Sequence, residues 1–417
     1  MHRTLRLALL AAGAFVLYAA RLDVAPVHLQ LDEAAAGVEA RSIATTAHDS
    51  EGRLLPLYFH VRDTTWFQPL LVYPMSLVLR LSTFSERALR LPSAAVGTLD
   101  VVLMFLLARR LFSSDRLGFV ASILLALTPA HFLYSRLAMD YLYPVPFVMA
   151  WLLALTIFLE EKRPWLLGIA TACLGLGFYS QATSVLMMPL YVLLTCLALW
   201  LEGSVRPRLY GIALAGFVLP LLLLVPWFLQ HPGTYLDTVG RWGVHPAYLR
   251  NPLDGLRALF NWGPLGGRVS LFWDFFNPSY LFFTGTSRIV GSAHHAGVFL
   301  LPVALFLPVG LWQLARLERS RTMSLVLLLG FATAPLVAST LDQPQAIRYE
   351  LVLLPFAVLI ATIGVEQLLV RRGGPWAVVG LCALVLVPIQ FSNFYRDYFV
   401  ASRASAIATG RNGRQSV

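Results

Sequence analysis

Charge is scarce in this chain. Only 13% of its 417 residues are Asp, Glu, Lys or Arg, where a soluble domain carries about 25%. Cysteine is scarcer still: Cys173, Cys196 and Cys382 are the only ones, each inside an apolar run. Their placement argues against a disulfide framework, and their scatter argues against closely spaced metal-binding thiolates. No glycine-rich phosphate loop, nucleophile elbow or nucleotide-binding motif occurs. Nor is there an internal repeat or an inverted pair of interrupted apolar segments of the transporter kind. Met1 to Leu22 has the basic start and apolar middle of a signal peptide. It lacks a small-x-small cleavage site and reads as a retained first helix.

What the chain has instead is hydrocarbon: 58% hydrophobic residues and a mean hydropathy of +0.68. Runs long enough to cross about 30 Å of bilayer, roughly 18 residues or more, recur throughout. They lie near 5–22, 90–108, 117–133, 141–159, 165–181, 184–201, 209–229, 297–315, 323–340, 350–369 and 375–391. This predicts an all-α polytopic membrane protein of about eleven spans. The stretch 67–82 is apolar too, but it is short and holds Pro69 and Pro74. It is expected to lie in the interface as part of a helical first external loop.

The few charges are ordered. Every second connector is basic: Arg109, Arg110 and Arg116; Lys162 and Arg163; Arg206 and Arg208; Arg316, Arg319 and Arg321; Arg371 and Arg372. Most Asp, Glu and His residues sit in the other connectors. Basic residues stay on the cytoplasmic side, so the amino terminus is expected inside and the acids outside. Counting 67–82 as a span would reverse that parity for every later connector. The net charge of +10 reads as orientation and anion-binding charge, because the Arg residues are dispersed; a nucleic-acid partner is not expected. An enzyme working outside has no nucleotide sugar or ATP and must take an activated donor already in the lipid.

Two long external loops, about 23–89 and 230–296, are expected to cap an active site within a membrane domain 1–391. A short polar tail, 392–417, follows and is expected to be disordered. Asp32 and Glu33 lie about ten residues past the first span, in HLQLDEAAAGVEARSIA. Two readings stand for Asp32: an N-cap favoured by the helix dipole, or a general base that takes a proton from an acceptor. Asp140 sits at the outer mouth of a span, either paired with Arg136 or facing the same cavity as Asp32. Arg90, Arg136, Arg288 and Arg348 are cations on the acidic side. Snorkelling explains some, and a bound phosphate, matched by guanidinium forks, explains several at once. His294 and His295 close the second long loop; they are either solvated or, with acids of the first loop, ligands for a divalent ion. The aromatics of that loop, among them Trp262, Trp273, Phe276 and Tyr280, suit an interfacial belt or a groove for sugar or lipid. Asp100, inside a span, is expected to make a buried hydrogen bond.

At these residues the chain resembles the membrane glycosyltransferases of the GT-C superfold, family 39 type, the branch of the protein O-mannosyltransferases and the aminoarabinose transferase of lipid A. The pieces that carry the resemblance are LDEAAAG, RLPSAAVGTL, SRLAMDYLYPV, NPSYLFFTGTSR followed by HHAG, and QAIRYELVLLPF, in family order from about residue 30 to 360. The resemblance implies a polyprenyl-phosphate sugar as donor, and transfer at the outer face to a glycan, lipid or protein acceptor. It gives Asp32 the base role with Glu33 beside it, and makes Asp140 the second acid. Arg90, Arg136 and Arg348 become candidates for the donor phosphate, and His294 and His295 candidates for substrate or metal. The sequence also departs from the family pattern. Ala34–Ala36 replace the usual aromatic after the acid pair, QPLLVYP stands at the Pro-Pro-x-x-Tyr-Trp-like position, and the first loop has no Lys for the phosphate. Many relatives carry a folded external domain after the last span, where this chain has a short tail. The rivals are a lipid-linked glycan flippase and a non-catalytic assembly subunit.

Overall fold

The computed structural model describes residues 3–27, 29–62, 65–204, 206–234, 262–284, 297–316, 321–340, 346–372 and 374–412. Its helices, in chain order, begin with α1 (Arg3–Ala19), α2 (Leu31–Thr46), α3 (Pro69–Leu81), α4 (Glu86–Phe112), α5 (Asp115–Ala126) and α6 (Pro129–Tyr134). There follow α7 (Pro144–Glu161), α8 (Pro164–Gly177), α9 (Ser184–Leu201), α10 (Pro207–Leu221), α11 (Leu224–Gln230) and α12 (Trp262–Asp274). The last are α13 (Val303–Ala315), α14 (Arg321–Thr333), α15 (Pro335–Thr340), α16 (Leu353–Glu366) and α17 (Gly374–Asn412). The sheet among the described residues is one antiparallel hairpin, β1 (Phe59–Arg62) and β2 (Thr65–Phe67), in the first loop.

Six described helical segments are long and apolar enough to cross a membrane, and the α10–α11 pair, bent by 45°, makes a seventh. The expected count of eleven is therefore not reached by length alone. Helix α1, α8 and α13 are apolar but shorter. The predicted span 117–133 is broken before Pro129 into α5 and α6, since proline cannot continue the hydrogen-bond ladder of the preceding turn. Helix α3, at 13 residues, is about 20 Å long, too short to cross.

Every residue of α16 from Leu353 to Val365 is buried, as expected of a helix that is apolar all round and central in a bundle. Leu193, Trp200, Leu214, Leu219, Leu229 and Leu381 stay exposed, the surface that hydrocarbon covers. Helix α13 crosses α16 at very short range. A Cβ on Gly310 would collide with the Ile360 carbonyl, and one on Gly364 with the Phe306 carbonyl. Small residues at such a crossing let two backbones touch. Gly310→Ala should therefore lower stability by about 1–3 kcal/mol, read as a drop in melting temperature in detergent. Gly211, with nothing within 4 Å, tolerates the same change and serves as the control.

The basic connectors meet at one end. Arg110 pairs with Glu160 and Glu161, Arg109 with Asp115 at 2.6 Å, and Lys162 with Glu202 at 2.6 Å. Hydrogen bonds from Lys162 and Thr322 hold the Glu202 carboxyl below its usual range. Acids thus accompany the Arg residues on this face more than the sequence reading allowed. Twenty residues of α4 separate Arg90 from Arg110, roughly 30 Å, so the first loop sits at the opposite end of the bundle.

The carboxyl-terminal helix corrects another expectation. The chain does not become disordered at Phe391: α17 continues to Asn412. Phe391, Phe394, Tyr398 and Phe399 are buried, and Phe132 stands edge-on to the Phe391, Phe394 and Tyr398 rings at 5.5–5.9 Å.

Candidate functional site

The first loop builds the site from α2. Helix α2 starts at Leu31, so Asp32 and Glu33 both lie in its first turn, where carboxylates are favoured. The capping carboxylate is Glu33 rather than Asp32: the Gln30 N–H donates to Glu33 Oε2 at 2.9 Å. Glu33 is fully buried while Asp32 is exposed. Adjacent positions on a helix point about 100° apart, which gives the two acids opposite surroundings.

Glu33 is the hub. Arg90 Nε and Nη2 donate to its two oxygens at 3.3 Å each, and the Ala138 N–H donates to Oε1 at 2.7 Å. Arg90 Nη1 also donates to the Leu22 and Pro26 carbonyls at 2.9 Å and to Glu86 at 3.3 Å. Arg136 is equally committed. Its Nη1 and Nη2 donate to the carbonyls of Tyr18, Ala20, Arg21 and Ala25, and its guanidinium lies 5.2–5.6 Å from the rings of Phe132, Tyr398 and Phe399. Arg90 and Arg136 are both 0% exposed. Both tie the chain around the end of α1 to α2, α4 and the segment after α6. Helix α6 ends at Tyr134 and Asp140 opens a separate short turn, so Arg136 and Asp140 do not share a helix.

The Glu33–Ala138 bond brings the start of α2 against the segment that carries Asp140. Asp32 and Asp140 therefore lie at one end of the bundle, within about 20 Å by chain reach. Asp140 opens a short helical turn, Asp140–Leu142. Beside it, Tyr141 stands edge-on to Tyr134 at 5.7 Å and to Tyr349 at 6.1 Å. Arg348, in the turn Ile347–Tyr349, is half-buried with its guanidinium 4.9 Å from the Tyr349 ring. Gln181, in the α8–α9 connector, donates to the Arg348 carbonyl at 3.1 Å. Arg348 is thus the one of the three expected phosphate cations placed beside Asp140's segment without full burial. Tyr280 donates to buried Glu350 at 3.3 Å, and the other Glu350 oxygen has no hydrogen-bond partner. Burial first, then Glu350, push the Tyr280 phenol well above its usual range, which keeps it a donor.

Tyr280 was among the loop aromatics read as a possible groove; Tyr134, Tyr141 and Tyr349, with Gln181 and Glu350, were missed from sequence. Tyr349 and Glu350 lie within the quoted QAIRYELVLLPF stretch, but nothing in the spacing says that it meets SRLAMDYLYPV. Asp100 makes its expected buried bond, to His131 at 3.2 Å, and His131 in turn contacts the Tyr18 hydroxyl at 3.0 Å. His294, His295 and Arg288 lie outside the described residues. Among the described residues, no group of three or more His, Cys, Asp or Glu is arranged to hold a metal.

Residues 67–229 match the family model for dolichyl-phosphate-mannose-protein mannosyltransferase. No curated protein sequence matches significantly. Several solved structures share the fold. The oligosaccharyltransferase of Archaeoglobus fulgidus in its apo form is 16% identical with a TM-score of 0.57, over 95% of this chain and 56% of that one. The same organism's AglB, in complex with an inhibitory peptide and a dolichol-phosphate, gives 15% and 0.56, over 97% of this chain and 56% of that one. ArnT from Cupriavidus metallidurans, bound to undecaprenyl phosphate, gives 16% and 0.59, over 97% of this chain and 75% of that one. The chain thus spans little more than half the length of the archaeal enzymes. Helix order and apolar spans agree with these structures: the chain is a multi-pass helical membrane protein that shares their fold over nearly its whole length, and its residues 67–229 are similar to the mannosyltransferase family.

Proposed function

We propose that the chain transfers a sugar from a polyprenyl-phosphate donor to an acceptor hydroxyl or amine at the outer face of the membrane, with Asp32 as general base. The observation that carries this reading is the Glu33 hub. It spends one acid of the pair on structure and leaves the other exposed at the end of the bundle that holds Asp140 and Arg348. Asp32 takes the acceptor proton. The acceptor atom bonds to the anomeric carbon, the bond from that carbon to the phosphate oxygen breaks, and polyprenyl phosphate leaves. One base and direct displacement suffice, which favours inversion. Arg348 and the tyrosine hydroxyls around it suit the developing phosphate charge. The basic connectors, about 30 Å away, supply the orientation: they face the cytosol, and the acids face out.

The test is incubation of the purified full chain with polyprenyl-phosphate sugars and candidate acceptors, with products identified by mass. A glycosylated acceptor and free polyprenyl phosphate are expected. Donors that cross the bilayer unchanged, with no transfer, would favour a flippase and overturn the proposal. Arg348→Gln should slow transfer by roughly 10²–10³-fold, the size seen for loss of one charge-stabilising donor, as measured by single-turnover release of polyprenyl phosphate.

A further inference from the structure

A second cavity lies on the other side of the first-loop layer. It encloses about 590 Å³ between the loop segment 53–57, Tyr73 of α3 and the end of α11, within the range of small-molecule sites. The hairpin separates it from α2 by strand alternation. Phe59 packs with Ala36 and Ala40 of α2, whereas its neighbour Tyr58 packs with Trp227 and Tyr179 beneath the cavity. Tyr73 touches both sides, lining the cavity and meeting Phe59 at 5.5 Å. Tyr179 is two residues before Gln181, which holds the Arg348 carbonyl. The Tyr58–Trp227–Tyr179 cluster thus links the cavity wall to the connector that holds Arg348.

Its chemistry is specific. Trp227 is buried, with the His231 ring tilted against it at 4.2 Å and Trp66 edge-on at 6.4 Å. Gln230 and His231 make no side-chain hydrogen bond to the described residues, and both line the cavity. Arg53 lines it too, fixed by Asp49 at 2.6 Å and Glu51 at 3.0 Å, over the Trp66 ring at 5.3 Å. Its Nη2 is buried without a hydrogen-bond partner. Two carboxylates already balance this guanidinium, so an anion gains little there. Hydroxyl oxygens are a better match. An aromatic platform ringed by planar Arg, Gln and His groups fits the apolar face and rim hydroxyls of a pyranose ring. Leu55, on the same wall, holds φ at +42°, a strained conformation for leucine of the kind found at ligand clamps; its N–H donates to the Ala47 carbonyl at 3.0 Å.

We propose that this cavity is an acceptor subsite that binds a neutral saccharide ring, so that the acceptor is a glycan or a glycolipid rather than a peptide. The inference rests on the transferase reading above and names its acceptor class. The experiment uses the full chain in nanodiscs, with short neutral oligosaccharides offered both free and attached to a membrane lipid, and a hydroxyl-bearing peptide as the comparison. Saturation-transfer NMR reads binding, and transfer kinetics with each saccharide read KM and kcat separately. Saccharide binding in either form supports the subsite, and the form that binds names the source. Gln230→Ala with His231→Ala, both on the cavity rim, should raise the acceptor KM by roughly tenfold with a smaller change in kcat. Trp227→Ala should do the same, and Trp227→Phe should recover part of the loss. Asp32-dependent transfer to saccharide with KM unchanged in the rim variant would sink the subsite while sparing the donor reading. Transfer to the peptide alone would do likewise. Saccharide binding that the rim variant weakens, with no transfer from any donor, would sink the transferase reading and leave the subsite standing.

Discussion

Asp32→Ala is expected to lower sugar transfer by roughly 10²–10⁴-fold, the usual contribution of a positioned general base, while the protein still folds. The two halves of that expectation come from one position. Asp32 is exposed in the first turn of α2, and its neighbour Glu33 already makes the capping bond to Gln30. Asp32 lies outside the buried Glu33–Arg90 pair, so stability should move by about 1 kcal/mol or less. Thermal unfolding in detergent and binding of polyprenyl phosphate should stay close to the parent values. A melting temperature that collapses together with activity would return Asp32 to the role of a structural carboxylate. Full activity in the variant would remove it from the chemistry altogether.

Glu33→Gln carries the opposite expectation. Glu33 and Arg90 are both 0% exposed and joined by two bonds of 3.3 Å. Removing the Glu33 charge leaves buried Arg90 with only the partly exposed Glu86 as counter-charge, at a cost of up to about 3–5 kcal/mol. Arg90→Met should be as severe. Arg90→Lys should not rescue it, because one ammonium cannot reproduce a guanidinium shared among Glu33, Glu86, Leu22 and Pro26. The double variant Glu33→Met with Arg90→Met should lose less than the two single losses added together, since neither charge is then stranded. The measurement is a double-mutant cycle of chemical or thermal unfolding in detergent. Strict additivity would show that the pair is not coupled. Side by side, Asp32 and Glu33 thus predict a clean split: one residue moves rate without stability, and the next moves stability first.

The resemblance treated Asp32 and Glu33 as one acidic motif, and treated three arginines as one phosphate-binding set. Both groupings were drawn along the chain. The fold divides them by burial. Arg90 and Arg136 are drawn inside because the chain after α1 leaves carbonyls of Tyr18, Ala20, Arg21, Leu22, Ala25 and Pro26 to be satisfied away from water. A buried carbonyl without a donor costs free energy comparable to a lost hydrogen bond. Arg348 has its own carbonyl bonded by Gln181 and stays half-buried. Nothing in the residue types separates these arginines; only their surroundings do.

By itself, the sequence determined that this is a polytopic helical membrane protein, with its basic connectors ordered along the chain. Hydrocarbon length and the ordering of Arg are properties of composition along the chain, and a linear pattern carries them completely. It also singled out Asp32 and predicted a short helix at 67–82. The tertiary structure alone decided which acid is structural, where the last helix ends, and that QAIRYE meets SRLAMDY through Tyr141 and Tyr349. It alone placed an aromatic cavity between the first loop and α11. Those outcomes depend on contacts between segments far apart in sequence and on which polar groups lose access to water, and no local pattern encodes either.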